Sequence, residues 1–92
     1  MIRAQRRFRL SKLDLTVIVN GQPTTVTAEP EAQLGSIIPK ALEQTGNVGQ
    51  PPQNWELRDA NGNVLDPARK IESFGFVSGI AIFLNLRAGI GG

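Results

Sequence analysis

From Leu13 to Val19 the chain alternates: Leu13, Leu15, Val17 and Val19 occupy one phase, and Asp14, Thr16 and Ile18 the other. A period of two is the mark of a strand with one buried face. Asn20-Gly21 follows, a pair that tolerates the positive φ of a tight hairpin turn, and Thr24-Thr25-Val26-Thr27-Ala28 is β-branched enough to return as a second strand. Glu29-Pro30-Glu31 ends it, because proline cannot donate to a strand ladder. The period then changes. Leu34, Ile37, Ile38, Ala41 and Leu42 fall at i, i+3, i+4, i+7 and i+8, one apolar helical stripe, with Gly46 placed to terminate it. Pro39 lies inside this stripe, so the helix is expected to start late or distorted, with Ser36 as N-cap and Pro39 in the tolerated first turn.

Gly46 to Gln53, with Gly49 and Pro51-Pro52, has loop composition. Trp55-Glu56-Leu57-Arg58 predicts a short strand with Trp55 and Leu57 inward, and Asn61-Gly62 turns it into a partner at Val64-Leu65. After Asp66-Pro67, residues Ile71, Phe74 and Phe76 are expected to plug the core. Gly79 then releases the chain into a last strand with Ile80, Ile82, Leu84 and Leu86 on one face. The order predicts an α+β fold: a small mixed sheet with one helix packed across it, the last strand beside the first. Arg87-Ala88-Gly89-Ile90-Gly91-Gly92 runs past the last apolar alternation and is expected to form a flexible tail. The chain thus divides into an N-terminal arm (1–11), a folded body (12–86) and a tail (87–92).

A chain of 92 residues supports one core, and 40% apolar with 20% charged residues is ordinary for a compact domain. Charge sharpens the division. Arg3, Arg6, Arg7, Arg9 and Lys12 all precede the first acid, Asp14, and the five remaining basic residues against eight acids leave residues 13–92 at −3. The arm is expected to be a solvated segment or one that docks on a neighbouring copy or partner enzyme. Only Phe8 interleaves the charges, so nucleic acid is not expected as a partner.

With no Cys and no His, the chain offers no thiolate or imidazole metal site and neither Cys-His nor Ser-His catalysis. An autonomous enzyme is not expected. Asp59 and Asp66 flank a turn but lack the alternating oxygen ligands of a calcium loop, so neither a metal nor a cofactor is predicted. Trp55 fits a core anchor better than a ligand platform. No apolar run approaches the roughly 20 residues that span a bilayer, and Lys12 and Asp14 interrupt any signal-peptide core, which points to a cytoplasmic protein without a membrane partner.

Five pieces, in order and spacing, carry a resemblance over about residues 13–92: Ala28-Glu29-Pro30, the helix closing at Gly46, Pro51-Pro52 before the Trp55 strand, Gly62-Asn63-Val64-Leu65-Asp66, and Leu84-Asn85-Leu86-Arg87 leading to Gly91-Gly92. Together they resemble ubiquitin. The chain looks like a divergent ubiquitin-like β-grasp modifier, similar to those encoded in bacterial ubiquitination-like operons. It departs from ubiquitin in its basic arm, in Ala88-Gly89-Ile90 before the Gly pair, and on the sheet surface. There Glu56, Arg58 and Asn85 replace apolar residues, leaving Phe83 as the apolar contact.

What the resemblance implies is a substrate. The Gly92 carboxylate would be adenylated, transferred to an enzyme cysteine as a thioester, and conjugated to an amine or hydroxyl of a target. Gly91 and Gly92 would be the conjugation residues. Arg87, Ala88, Gly89 and Ile90 would be read by the activating enzyme, and Arg58, Phe83 and Asn85 would form a surface contact. Implied partners are ubiquitin-activating-like and conjugating-like enzymes, a deconjugating peptidase, the target protein, and further copies of the chain through self-association. Gly91 and Gly92 lack a Cβ and so suit a narrow channel. Six extended residues span on the order of 20 Å, enough to reach into an active site. A chain ending at Gly92 would need no proteolytic maturation, whereas a precursor that continues past Gly92 would. Lys12, Lys40 and Lys70 are candidate acceptors for a second copy. Two other readings stay open: a sulfur carrier forming a C-terminal thiocarboxylate, and a noncovalent scaffold for which the Gly-rich end is irrelevant.

Overall fold

The structure is a computed structural model that describes residues 12–90; the basic arm and the Gly91-Gly92 pair lie outside the described residues. Strand β1 (Leu13–Val19) pairs antiparallel with β2 (Gln22–Ala28), in a register running from Leu13 opposite Ala28 to Val19 opposite Gln22. Asn20, at φ 50, and Gly21, at φ 88, make the turn that the Asn-Gly pair predicts. Strand β4 (Ala81–Leu86) lies parallel to β1, and β3 (Trp55–Arg58) runs antiparallel along the other side of β4. The sheet order is β2-β1-β4-β3, a mixed sheet with the first and last strands at its centre.

Helix α1 (Ile37–Gln44) crosses one face of this sheet, preceded by a 3-10 turn at Leu34–Ser36. The late start follows from Pro39. As third residue of the helix, it needs no intrahelical N–H partner, so the chain enters through a 3-10 turn instead of extending the helix backwards. Ser36 stands at the N-cap position, but its hydroxyl donates to the Gln33 carbonyl at 2.7 Å and does not cap the helix. At the other end Gly46, at φ 74, donates to the Glu43 carbonyl, and Asn47 donates to the Leu42 carbonyl at 2.8 Å. This is the paired closure of a Schellman motif.

The apolar phase of each element meets in one core. Leu15, Val17, Val19 and Val26 from the hairpin face Leu34, Ile37, Ile38, Ala41 and Leu42, with Trp55, Leu57, Leu65, Ile71, Ile82 and Leu84 completing the layer. Phe74 and Phe76 are not core plugs like Ile71. They are half-buried at its edge, stacked on each other with ring centroids 5.0 Å apart, and Arg69 lies over the Phe74 ring at 4.4 Å.

The expected strand at Val64-Leu65 reduces to a single bridge, Val64 opposite Arg58, with Leu65 donating to the Leu57 carbonyl at 2.8 Å. Leu65 is buried, whereas Val64 is exposed. The pairing stops because Asp66 draws the chain into its own turn, its carboxylate accepting the Ala68 N–H at 2.9 Å, and Pro67 cannot donate to a ladder.

Candidate functional site

The last core strand delivers the chain to its tail. Leu86, half-buried, pairs with Trp55, and the next residue continues the ladder: the Arg87 N–H donates to the Asn54 carbonyl at 2.9 Å. The Arg87 side chain then folds onto the same loop, its Nε donating to the Gln53 carbonyl at 2.9 Å. Gln53 and Asn54 belong to a 3-10 turn, Pro52–Asn54, which Pro51-Pro52 opens and in which Asn54 Nδ2 donates to Gln50 Oε1 at 2.8 Å. The prolines that mark a loop in the sequence therefore build a platform of carbonyls to which the tail root is tied twice.

Beyond this clamp the tail does not continue extended. Ile90 donates to the Arg87 carbonyl at 3.0 Å, closing a β-turn in which Gly89 takes φ 87. A positive φ at the third turn position is the type II requirement that glycine meets without strain. Arg87, Ala88 and Gly89 are exposed and Ile90 is half-buried. Over its described part, Arg87 to Ile90, the tail is thus a turn, because a glycine between Ala88 and Ile90 lets the chain close on itself. Gly91 and Gly92, expected from the sequence to be the conjugation residues, lie outside the described residues.

The second predicted group lies on the sheet face away from α1. Phe83 of β4 sits opposite Arg58 of β3 on one side and Ile18 of β1 on the other, and Ile18 in turn pairs with Pro23 of β2. The structure brings Arg58 and Phe83 together and sets Asn85, exposed, opposite Glu56. Arg58 is already engaged locally: it contacts Glu56 Oε1 through Nη2 at 2.9 Å and Nε at 3.2 Å, and donates from Nη1 to the Gly62 carbonyl at 2.7 Å. Ile18 and Pro23 escaped the sequence reading, although an apolar Ile18 in the polar phase of an alternating strand is the signal that could have found the first.

The Asp59-to-Asn63 turn at the end of β3 is held by one carboxylate. Asp59 Oδ1 accepts the N–H groups of Asn61 and Asn63, each at 2.9 Å, and Oδ2 accepts from Asn63 Nδ2 at 3.1 Å. These bonds, the Asn63 N–H foremost, hold its pKa below the ordinary value. Among the described residues no three His, Cys, Asp or Glu side chains group as metal ligands, and no helix is long and apolar enough to cross a membrane. Lys12, Lys40 and Lys70 are all exposed, and Lys12 lies 3.7 Å from Glu29.

Comparison with known proteins places this arrangement. A family model described as "Protein of Unknown function (DUF2604)" matches residues 9–92, including Gly91 and Gly92. The chain belongs to the DUF2604 family. One relative, "Uncharacterized protein y4jI" of Sinorhizobium fredii, is 48% identical over 81 residues, which cover 88% of this chain and 62% of the relative. This DUF2604 chain therefore spans less than two thirds of that relative's length.

Among solved structures, a designed protein based on ubiquitin superposes with a TM-score of 0.71 at 25% identity, over 89% of this chain and 96% of the design. Ubiquitin of Caldiarchaeum subterraneum gives 0.69 at 22% identity, over 89% and 100%. The C-terminal ubiquitin-like domain of the human 2'-5'-oligoadenylate synthetase-like protein gives 0.70 at 18% identity, over 88% and 90%. The DUF2604 chain has a ubiquitin-like β-grasp fold.

Proposed function

We propose that this chain is a ubiquitin-like protein modifier and acts as a substrate of other enzymes, with the Gly92 carboxylate as its reacting group. The observation that carries this reading is the double attachment of Arg87 to the Gln53 and Asn54 carbonyls at the end of a central core strand. It fixes the point where a glycine-rich segment leaves a ubiquitin-like body, and the family match includes Gly91 and Gly92.

The chemistry asks little of the chain. A carboxylate is a poor acyl donor, so its oxygen first attacks the α-phosphorus of ATP and pyrophosphate leaves. A cysteine thiolate of the activating enzyme then displaces AMP, forming a thioester. Finally an amine or hydroxyl of the target displaces the thiol. The modifier supplies a free Gly92 carboxylate and an unhindered path to it. Glycine at 91 and 92 presents no Cβ to the walls of an enzyme channel, while Arg87, Ala88, Gly89 and Ile90 are the residues such a channel would grip. Arg58, Phe83 and Asn85 are the proposed docking contacts on the sheet, joined there by Ile18. The proposed setting is the bacterial cytoplasm, with activating and conjugating enzymes, a peptidase that reverses the bond, and a target protein as partners.

Incubation of the full chain with ATP and the activating enzyme of its own host should give an adduct that runs at the summed mass and is released by a thiol reductant. A form lacking Gly92 should not be charged. No adduct with the intact chain, or equal charging of the shortened one, rejects the reading. Instead, a mass gain of about 16 Da, the replacement of carboxylate oxygen by sulfur, would identify a sulfur carrier.

A further inference from the structure

A second feature lies on the opposite layer, between the end of α1 and the loop leading to β3. Pro39, Leu42, Val48, Pro51 and Pro52 line an open groove of about 460 Å³. Val48 is 76% exposed, somewhat more than Val77 and Val64 elsewhere on the body, and it alone of the three lies in the groove. One charge lies in the groove wall, Glu43. It occupies the last turn of α1, where the negative end of the helix already disfavours a carboxylate, and that turn contains no basic residue. Among the described residues Glu43 has no ion-pair partner. The groove is therefore mainly apolar with one uncompensated negative site, a surface that suits a segment carrying apolar side chains next to a basic one.

The chain itself contains such a segment: Arg6-Arg7-Phe8-Arg9-Leu10 alternates arginines with Phe8 and Leu10, ahead of a body that is net acidic. Reach decides whose copy can use it. Lys12 stands at the end of β1 remote from the hairpin turn, since Leu13 pairs with Ala28 and Val19 with Gln22. The Pro51-Pro52 side of the groove is at the hairpin end. The loop after Pro52 meets β4 at Leu86, two residues beyond the level of Val19, while Gln44, at the end of α1, donates to Thr24 Oγ1 and the Thr25 carbonyl, level with Val17 and Thr16. The length of β1 separates them, about 20 Å at 3.3 Å per residue. Phe8 is four residues from Lys12 and reaches at most about 14 Å. Its own groove is out of range.

We propose that the Arg6–Leu10 segment of one copy docks in the Pro39/Leu42/Val48/Pro52 groove of a second, with Phe8 against Val48 and an arginine on Glu43. Donor and acceptor lie at opposite ends of the body, so the contact either closes as a reciprocal pair about a two-fold axis or continues from copy to copy. This inference does not depend on the chemistry of Gly92.

Sedimentation velocity of the full chain across a wide concentration range tests it. The weight-average mass should rise with concentration to that of a dimer or beyond, and added salt should reverse the rise because an ion pair contributes. Val48→Asp spoils the acceptor and Phe8→Asp the donor. Each, with its thermal midpoint unchanged, should raise the dissociation constant by about tenfold or more. Mixed together they retain one intact groove and one intact arm, so the mixture should form a heterodimer and stop there. Glu43→Arg should likewise lose assembly and regain it when mixed with a chain carrying Arg7→Glu and Arg9→Glu. A chain that remains monomeric throughout, or assembly insensitive to both Val48→Asp and Phe8→Asp, overturns the proposal.

Discussion

Asp59 shows how much one surface side chain can organise. Its carboxylate accepts three N–H bonds from Asn61 and Asn63, all of which favour the charged form, and its pKa is lowered from the ordinary value as a result. Linkage gives the sign. A carboxylate with a depressed folded-state pKa contributes stability above its unfolded-state value, and that contribution is lost as pH falls through the folded-state value. Asp59→Ala should therefore lower the urea midpoint at neutral pH. The gap to the unmodified chain should narrow as the solution is taken below the ordinary carboxylate range. Urea titrations at a series of pH values read this directly, and a gap of constant size would show that the bonds act without linkage to the charge. The residue also marks a limit of sequence reading. Asn61-Gly62 announces a turn, but that Asp59 serves as its anchor emerges only from the path of the chain.

At the scale of elements, α1 was legible in its essentials. Leu34, Ile37, Ile38, Ala41 and Leu42 are all buried, as the stripe requires, and Pro39 fixed the late start by local sterics. Gly46 was legible as the stop, and it carries a prediction. Its φ of 74 is strained for any residue with a Cβ, although a Cβ there would meet no atom within 4 Å. The cost of Gly46→Ala is then conformational alone, about 1 kcal/mol in unfolding free energy. Gly46→Asn should lose less, since asparagine tolerates the left-handed region. Denaturant titration should resolve the order glycine, asparagine, alanine; an alanine variant as stable as the parent contradicts it. The weaker elements were less legible. Val64 carries strand propensity, yet one bridge is all it forms, because Asp66 and Pro67 turn the chain away. Ile18 and Pro23 pair within the local hairpin, but their place beside Phe83 depends on β1 lying against β4, a strand distant in sequence.

Across the whole molecule, the tail root depends on contacts that no local pattern encodes. Arg87 and Gln53 are 34 positions apart, and the bond between them requires β3 to lie beside β4 and the Pro52–Asn54 turn to offer its carbonyl outward. The sequence gives an arginine followed by glycines, from which a free leash is the natural expectation; the fold makes that arginine a clamp. Removing its side chain should affect the core very little, because Arg87 is exposed and one hydrogen bond to an exposed carbonyl contributes about 1 kcal/mol or less. The tail should respond more. Arg87→Ala keeps the N–H bond to Asn54 but loses the side-chain tie, so the Arg87-to-Ile90 turn stands on a single attachment. Backbone order parameters at Ala88, Gly89 and Ile90 should fall toward the flexible range, below about 0.6, while those of β4 stay near 0.85. Arg87→Lys is the informative companion: it keeps the charge but lacks the planar Nε–H that meets Gln53. If the clamp sets tail order, lysine should resemble alanine in relaxation measurements. If, under the proposed function, an activating enzyme reads the charge of Arg87, lysine should resemble arginine in the KM for charging, and the two readouts separate a structural contribution of Arg87 from recognition.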